Sequence, residues 1–229
     1  VHVTNPSLYS SLPYDTIKDF APVATVTRTR YALVLHPSVP ANNLQEFIAL
    51  AKSKPGQLNY ATAGRGNSPH LTIELLNIMA GIKMQHIPYK GSGPALTDLI
   101  GGQVQLTVAP PASSIPYIKN GRLKAIAISG ETRLSALPRV PTFTEAGLPG
   151  FDVKFWYGVL APAGTPKEII DKLSSEIGRI VAAPDYKEKI VSQGLNPFIS
   201  TPGQLAALMK ADMAKWGKVI KTANIKLEN

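Results

Sequence analysis

YATAGRGNSPHLTIELL (residues 60–76) and HIPYKGSGPALTDLIGG (residues 86–102) repeat one pattern: a β-prone run, a turn of small residues, then a proline opening an amphipathic segment. Ser68 before Pro69, and Gly93 before Pro94, stand where an N-cap and a first helical residue belong. Upstream, Tyr31–His36 (YALVLH) is almost continuously apolar, as a strand buried on both faces is. Leu44, Phe47, Ile48 and Ala51 follow at helical spacing until Pro55-Gly56. Residues 58–62 form the next strand, and Leu71, Leu75, Ile78 and Met79 mark one helix face ending near Gly81. Downstream, Ala95, Leu96, Leu99 and Ile100 form a short helical face, Val104, Leu106 and Val108 alternate, and Leu123–Ile128 is again strand-like. This alternation predicts an α/β fold with a parallel-type sheet and right-handed crossovers. In such sheets ligands sit outside the carboxyl ends of the strands, where the glycine turns fall.

A strand-to-helix turn leaves main-chain N–H groups unpaired at the positive end of a helix dipole, which suits a carboxylate or phosphate. Ala63, Gly64, Arg65, Gly66, Asn67 and Ser68 form the first such turn, and its two glycines permit backbone geometries in which several N–H groups converge. A plain structural turn is the competing reading. Ser68 has two roles open to it, helix cap and ligand donor. Arg65 is a solvated charge or a carboxylate contact, and His70 a donor to an anion or a packed, buried imidazole. Ser92, Gly93 and Ala95 belong to the second turn, beside an exposed Lys90 and a Tyr89 that reads as packing or hinge. Two turns of this kind point to a small anion.

The last third differs. Thr165-Pro166-Lys167-Glu168 reads as a capping box ahead of a face of Ile169, Leu173, Ile177 and Ile180, which is expected to cover a core. Thr201-Pro202-Gly203-Gln204 repeats the device before Leu205, Leu208, Met209, Met213 and Trp216. Phe155, Trp156 and Tyr157 read as core packing or as an aromatic wall for a ligand.

Composition narrows the function classes. The 229 residues suffice for one large or two modest domains, and no apolar run approaches a membrane span. Zero cysteines exclude disulfides, thiolate metal sites and cysteine nucleophiles. The formal charge of +9 is scattered, without a block of five like charges or an aromatic platform, so it suits small anions better than nucleic acid. Four histidines (His2, His36, His70 and His86) lack metal-site spacing; no GxSxG elbow or nucleotide fingerprint appears, and no nucleophile–base pair can be assembled. No metal, cofactor or enzymatic activity is expected.

LPYDTIKDFAPVA (from Leu12), LNYATAGRGNSPHL (from Leu58), HIPYKGSGPALTDLIGGQV (from His86), LPRVPTFTEAGLPGF (from Leu137), WYGVLAPAGTP (from Trp156) and KWGKVIKTANIK (from Lys215) occur in this order. Together they resemble the receptors of tripartite tricarboxylate transporters, the Bug family of periplasmic solute-binding proteins, over essentially the whole chain.

The resemblance implies a two-domain, type II periplasmic-binding-protein-like α/β fold with two crossover strands, Tyr31–His36 and the strand after Arg122 lying near the crossings. Residues 30–154 would form domain 2, while residues 1–29 and 155–229 would form a discontinuous domain 1. The family pattern begins with further elements, including a loop on the carboxylate-binding wall, so domain 1 is expected to lack its N-terminal portion. The implied function is an extracytoplasmic, periplasmic receptor, without a signal peptide in this sequence. It would capture a di- or tricarboxylate or an aromatic acid by closing two domains, as a monomer, and present it to membrane permease subunits. The alternative is a sensory receptor that presents the acid to a membrane signalling protein. Many members carry an acidic residue where this chain has Ala109, Pro110 and Pro111, which argues against an amino-acid ligand. The implied ligand-binding set is Ala63 to Ser68 with His70, Ser92, Gly93, Ala95, Ala109 and Pro110.

Overall fold

A computed structural model describes residues 2–227. It divides into two compact units, Val1–Thr29 with Phe155–Asn229, and Arg30–Lys154. The chain opens with a short helix, α1 (Asn5–Leu8), and a long strand, β1 (Phe20–Thr29). It then enters the second unit through β2 (Ala32–Leu35) and α2 (Leu44–Ser53), followed by β3 (Asn59–Thr62), α3 (Ser68–Ala80), β4 (Gln85–Pro88), α4 (Ser92–Ile100), β5 (Leu106–Ala109), α5 (Pro111–Lys119) and β6 (Lys124–Ile128). The return to the first unit comes well after β6, at β7 (Phe155–Pro162), and is followed by α6 (Lys167–Ala182), α7 (Pro184–Ser192), β8 (Leu195–Pro197) and α8 (Pro202–Thr222).

In the Arg30–Lys154 unit the five strands run in the order β4-β3-β5-β2-β6. β3 is parallel to β4 and β5, as the alternating pattern predicts, but β2 is antiparallel to both β5 and β6. The difference has a simple cause. β2 follows β1 directly and enters the sheet from outside it, so no crossover helix sets its direction. All four of its residues are fully buried, which accounts for the unbroken apolar run. α2 buries Leu44, Phe47, Ile48 and Ala51, and Asn43 caps it by accepting the Glu46 N–H at 2.9 Å.

α3 turns a different face inward from the one its apolar residues mark. Its buried residues are His70, Leu71, Thr72, Ile73, Leu76, Asn77 and Ala80, while Ile78 is exposed. The polar side chains on the covered face bond within or just before the helix, Thr72 Oγ1 donating to the Ser68 carbonyl at 2.7 Å and Asn77 Nδ2 to Glu74 at 3.2 Å. The helix also begins one residue earlier than its proline suggests. Asn67, not Ser68, is the N-cap, its Oδ1 accepting the His70 N–H at 2.9 Å. At α4 the boundary moves likewise, to Gly91 with φ +116°, so that Ser92 and Gly93 already lie within the helix.

The other unit is built on a three-stranded antiparallel sheet in the order β7-β1-β8. Phe155 stacks on the buried Trp216 of α8 with ring centroids 5.1 Å apart, and Trp156 Nε1 donates to Asp212 at 2.7 Å. These two aromatics pack within the unit, whereas Tyr157 is exposed. α6 does not follow its sequence reading. Ile170 and Val181 are buried, while Ile169, Leu173 and Ile180 face solvent. No side-chain cap forms at its start, since the Thr165 hydroxyl donates to the Pro162 carbonyl instead. α8 does begin with the expected capping box, Thr201 and Gln204 satisfying each other's main-chain N–H groups. Thr201→Ala should therefore cost about 1 kcal/mol in denaturant unfolding. An unchanged midpoint and slope would show that this cap adds nothing.

Candidate functional site

Parallel strands joined by crossover helices bring several helix starts to one sheet edge, and the Arg30–Lys154 unit has a cavity of about 120 Å³ at that edge. Its wall comes from five neighbouring elements. The end of β3 and the residue after it give Thr62 and Ala63, and the first turn of α3 gives Pro69. α4 supplies Ser92, Gly93, Ala95 and Leu96, β5 supplies Thr107, Val108 and Ala109, and the start of α5 adds Pro110 and Ser113. Among the described residues, no Asp, Glu, Lys or Arg lines it.

The wall's hydroxyls are mostly occupied. Thr62 Oγ1 donates to the Gly64 carbonyl at 2.9 Å, Thr107 Oγ1 to the Ala61 carbonyl at 2.7 Å, and Ser113 Oγ to the Pro110 carbonyl at 2.8 Å. Among the described residues the Ser92 hydroxyl has no such partner. At α3, Pro69 carries no N–H and Asn67 takes the His70 N–H, which leaves the Ser68 N–H, while at α4 the Ser92 and Gly93 N–H groups have no carbonyl to bond within their own helix and are available to an anion. α5 offers fewer than α4, because Pro110 and Pro111 carry no N–H at all and the Ser113 N–H turns back to Pro110.

Of the residues singled out from sequence, Ala63, Ser92, Gly93, Ala95, Ala109 and Pro110 line the cavity together. Gly64, Arg65, Gly66, Asn67, Ser68 and His70 do not reach the wall. They form the body of the turn and the start of α3. Asn67 Nδ2 is screened from solvent without a partner, about where a Cβ on Gly64 would approach to 3.9 Å. Gly66 differs most from the reading of its turn as a set of converging donors. Its N–H points inward and donates to His70 Nδ1 at 2.9 Å. Thr62, Pro69, Leu96, Thr107, Val108 and Ser113 were missed. Thr62, the last residue of β3, could have been found from the rule that ligands sit at the carboxyl ends of parallel strands.

Beneath the turn three rings are stacked. His70 lies on His86 with centroids 3.9 Å apart and planes 12° from parallel, and His86 lies on Tyr60 at 4.9 Å and 19°. The Tyr60 hydroxyl donates to Glu74, which also accepts from Asn77 Nδ2 at 3.2 Å. Burial, with the Arg65 charge as a second cause, pushes His70 down to about 4. Burial, then the neighbouring His70 and Arg65, pushes His86 down to about 3. The Tyr60 phenol is raised far above its usual range by burial and by Glu74. Both imidazoles are therefore neutral at pH 7. Tyr89 lies apart from this stack, its hydroxyl on Asp98 at 2.7 Å, and burial with that bond raises it to about 12.

The matched length of the chain decides its family. A family model described as the tripartite tricarboxylate transporter family receptor matches residues 1–225. The chain belongs to this family. It is 34% identical over 222 residues to protein BugT of Bordetella pertussis, covering 97% of this chain and 68% of that protein. R. palustris Rpa4515, solved with adipate, matches at TM-score 0.86 and 33% identity over 99% of this chain and 76% of that one. MatC (Rpa3494) from Rhodopseudomonas palustris, solved with bound malate, matches at TM-score 0.82 and 33% identity over 96% and 76%. The chain spans 64% to 68% of the lengths of the first four curated relatives it matches. These likenesses place its α/β architecture in the type II periplasmic-binding-protein-like class.

The buried imidazoles carry a pH dependence whose sign is fixed. A histidine held neutral in the folded chain protonates first in the unfolded chain, near pH 6.5. The stability it contributes is thus present in full above that pH and is lost as the pH falls toward the folded values of about 4 and 3. The charged or titratable groups facing the pair are Tyr60 from β3 and Arg65 from the turn, with Glu74 from α3 bonded to Tyr60 behind them. The melting temperature should fall between pH 7 and pH 5, and less steeply in His70→Phe. Equal slopes in the two proteins would show that His70 is not buried in its neutral form.

Proposed function

We propose that the chain is the solute-capturing receptor of a tripartite tricarboxylate-type transporter, working outside the cytoplasm and handing a small carboxylate to membrane permease subunits. One observation carries this reading. The start of α3 and the start of α4 meet at a cavity that has unpaired main-chain donors and no acidic side chain. An anion there is met by fixed dipoles and is repelled by nothing on the wall. The carboxylates held by the two R. palustris relatives support the same class of ligand.

In this reading Ser92 and the first-turn N–H groups of α4 bind the carboxylate, joined through ordered water by donors of the Ala63–Ser68 turn behind Ala63. Ala63, Ala95, Ala109 and Pro110 shape the apolar wall. The absence of a carboxylate from that wall favours acids without an ammonium group, because a buried cation left unpaired is costly. Residues 30–154 act as one ligand-binding domain and residues 1–29 with 155–229 as another, and the receptor works as a monomer without enzymatic turnover.

A thermal-shift screen of di- and tricarboxylates, aromatic acids and amino acids tests the class directly, since a ligand that binds only the folded chain raises its melting temperature. Stabilisation by amino acids alone, or by none of these compounds, would overturn the reading. Gly93 provides the companion test. It lines the cavity, its φ is ordinary, and a Cβ there meets nothing within 4 Å. Gly93→Val should leave the unliganded melt unchanged while weakening binding of the stabilising acid by about tenfold or more, roughly 1.4 kcal/mol. Binding at the parent affinity would remove the cavity from the site.

A further inference from the structure

The turn from Ala63 to Ser68 poses a physical problem. Gly64 and Gly66 adopt φ of +138° and +72°, in the region that favours glycine. Two glycines in one short turn also make it floppy unless something holds it. A floppy donor turn must be ordered when the ligand arrives, at a cost in affinity.

The hydrogen bonds beneath the turn supply the hold. The Gly64 carbonyl accepts from Thr62 Oγ1 at 2.9 Å, and the Gly64 N–H returns to the same oxygen at 3.3 Å. The Thr62 proton is committed to that carbonyl, so the 2.7 Å contact between Thr62 Oγ1 and His86 Nε2 has the imidazole as donor. Two residues on, the Gly66 N–H donates to His70 Nδ1, which places the His70 proton on Nε2. The two rings that carry these bonds stack face to face, and Tyr60 backs them from β3. Both ends of the glycine turn are thereby tied to one imidazole pair spanning α3 and β4.

We propose that His70 and His86 are positioning residues for the anion-binding turn, a stacked imidazole pair that fixes the Gly64 peptide and the Gly66 N–H before any ligand arrives. The proposal rests on the receptor reading above for its consequence in binding. Its geometry stands without it. Neither ring lines the cavity. Their contribution is to hold the turn in one shape and to keep the Gly66 donor directed away from the ligand, so that the remaining donors of the turn face a fixed direction.

The test uses the parent chain and two variants. His70→Phe keeps a flat ring in the stack but has no acceptor, and His70→Asn keeps an acceptor near the position of Nδ1. In the parent, nitrogen NMR should show His70 protonated at Nε2 and not at Nδ1, with slow hydrogen exchange at the Gly66 amide. In His70→Phe that amide should exchange at least about tenfold faster, and adipate, the probe chosen from the relative's structure, should bind about tenfold more weakly, while the chain still melts cooperatively. His70→Asn should recover most of both properties. Fast Gly66 exchange or an Nδ1–H tautomer in the parent overturns the proposal whether or not the variants fold. So does a His70→Phe protein with parental exchange and affinity, or a His70→Asn protein that behaves like His70→Phe. If the parent binds neither adipate nor any acid that stabilised it in the screen, the receptor reading fails, and the Gly66 amide alone decides the positioning claim.

Discussion

Parallel pairing is the constraint from which the site follows. A strand that must lie parallel to its predecessor forces the chain back across the sheet, and each return helix then starts at the same edge. β3 is parallel to both β4 and β5, so the turns entering α3, α4 and α5 gather at one edge although they are well separated in sequence. β2 breaks the series. It runs antiparallel to β5 with Ala32 opposite Ala109, so the far side of that edge is closed by an arriving strand, not by a fourth helix start. The cavity lies where the parallel part of the sheet ends.

The three helix starts are not equivalent. α3 is capped by Asn67 and has its donor turn fastened from below; α4 begins at a glycine with positive φ and presents Ser92 and Gly93 directly to the cavity. α5 begins with two prolines and contributes shape instead of donors. In the proposed receptor, a wall of this kind would hold one charged end of a ligand against the start of α4 and rest its apolar atoms on Ala95, Val108, Ala109 and Pro110. The +9 charge of the chain acts on another length scale, since none of it lines the cavity. It can speed the approach of an anion, an effect that salt screens, while the fixed dipoles determine how the anion sits once there.

Sequence showed most of the elements because their causes are local. The unbroken YALVLH run, the Thr201–Gln204 cap and the apolar spacing of α2 each depend on residues within one element. The misreadings arose where a distant partner decides. The apolar stripe chosen for α3 included the exposed Ile78 and left out the buried Thr72 and Asn77, because a polar side chain on a covered face is indistinguishable in sequence from one on a solvated face, whereas His70 is the buried imidazole its sequence reading allowed. The stripe on α6 was real as a pattern, yet Ile169, Leu173 and Ile180 are exposed among the described residues. The direction of β2 was hidden too, since periodicity reports burial and not polarity of the chain. At the site, the glycine turns were visible as turns, while Thr62 at the end of β3 and Thr107 within β5 were not, because a threonine in a strand draws no attention without the sheet order.

Two histidines below the turn proposed to bind an anion suggest that histidinium supplies the attraction, and the hydrogen bonds argue the reverse. His70 accepts a main-chain N–H through Nδ1, and a proton on that atom would set donor against donor. Burial disfavours the charge, and Arg65 adds repulsion to both rings. Neutrality is therefore what lets the pair hold the turn, and in the proposed site the attraction is left to main-chain dipoles at the helix starts. An anion site organised in this way separates two tasks that a single cationic side chain would combine: the imidazoles supply geometry, and the backbone supplies the field.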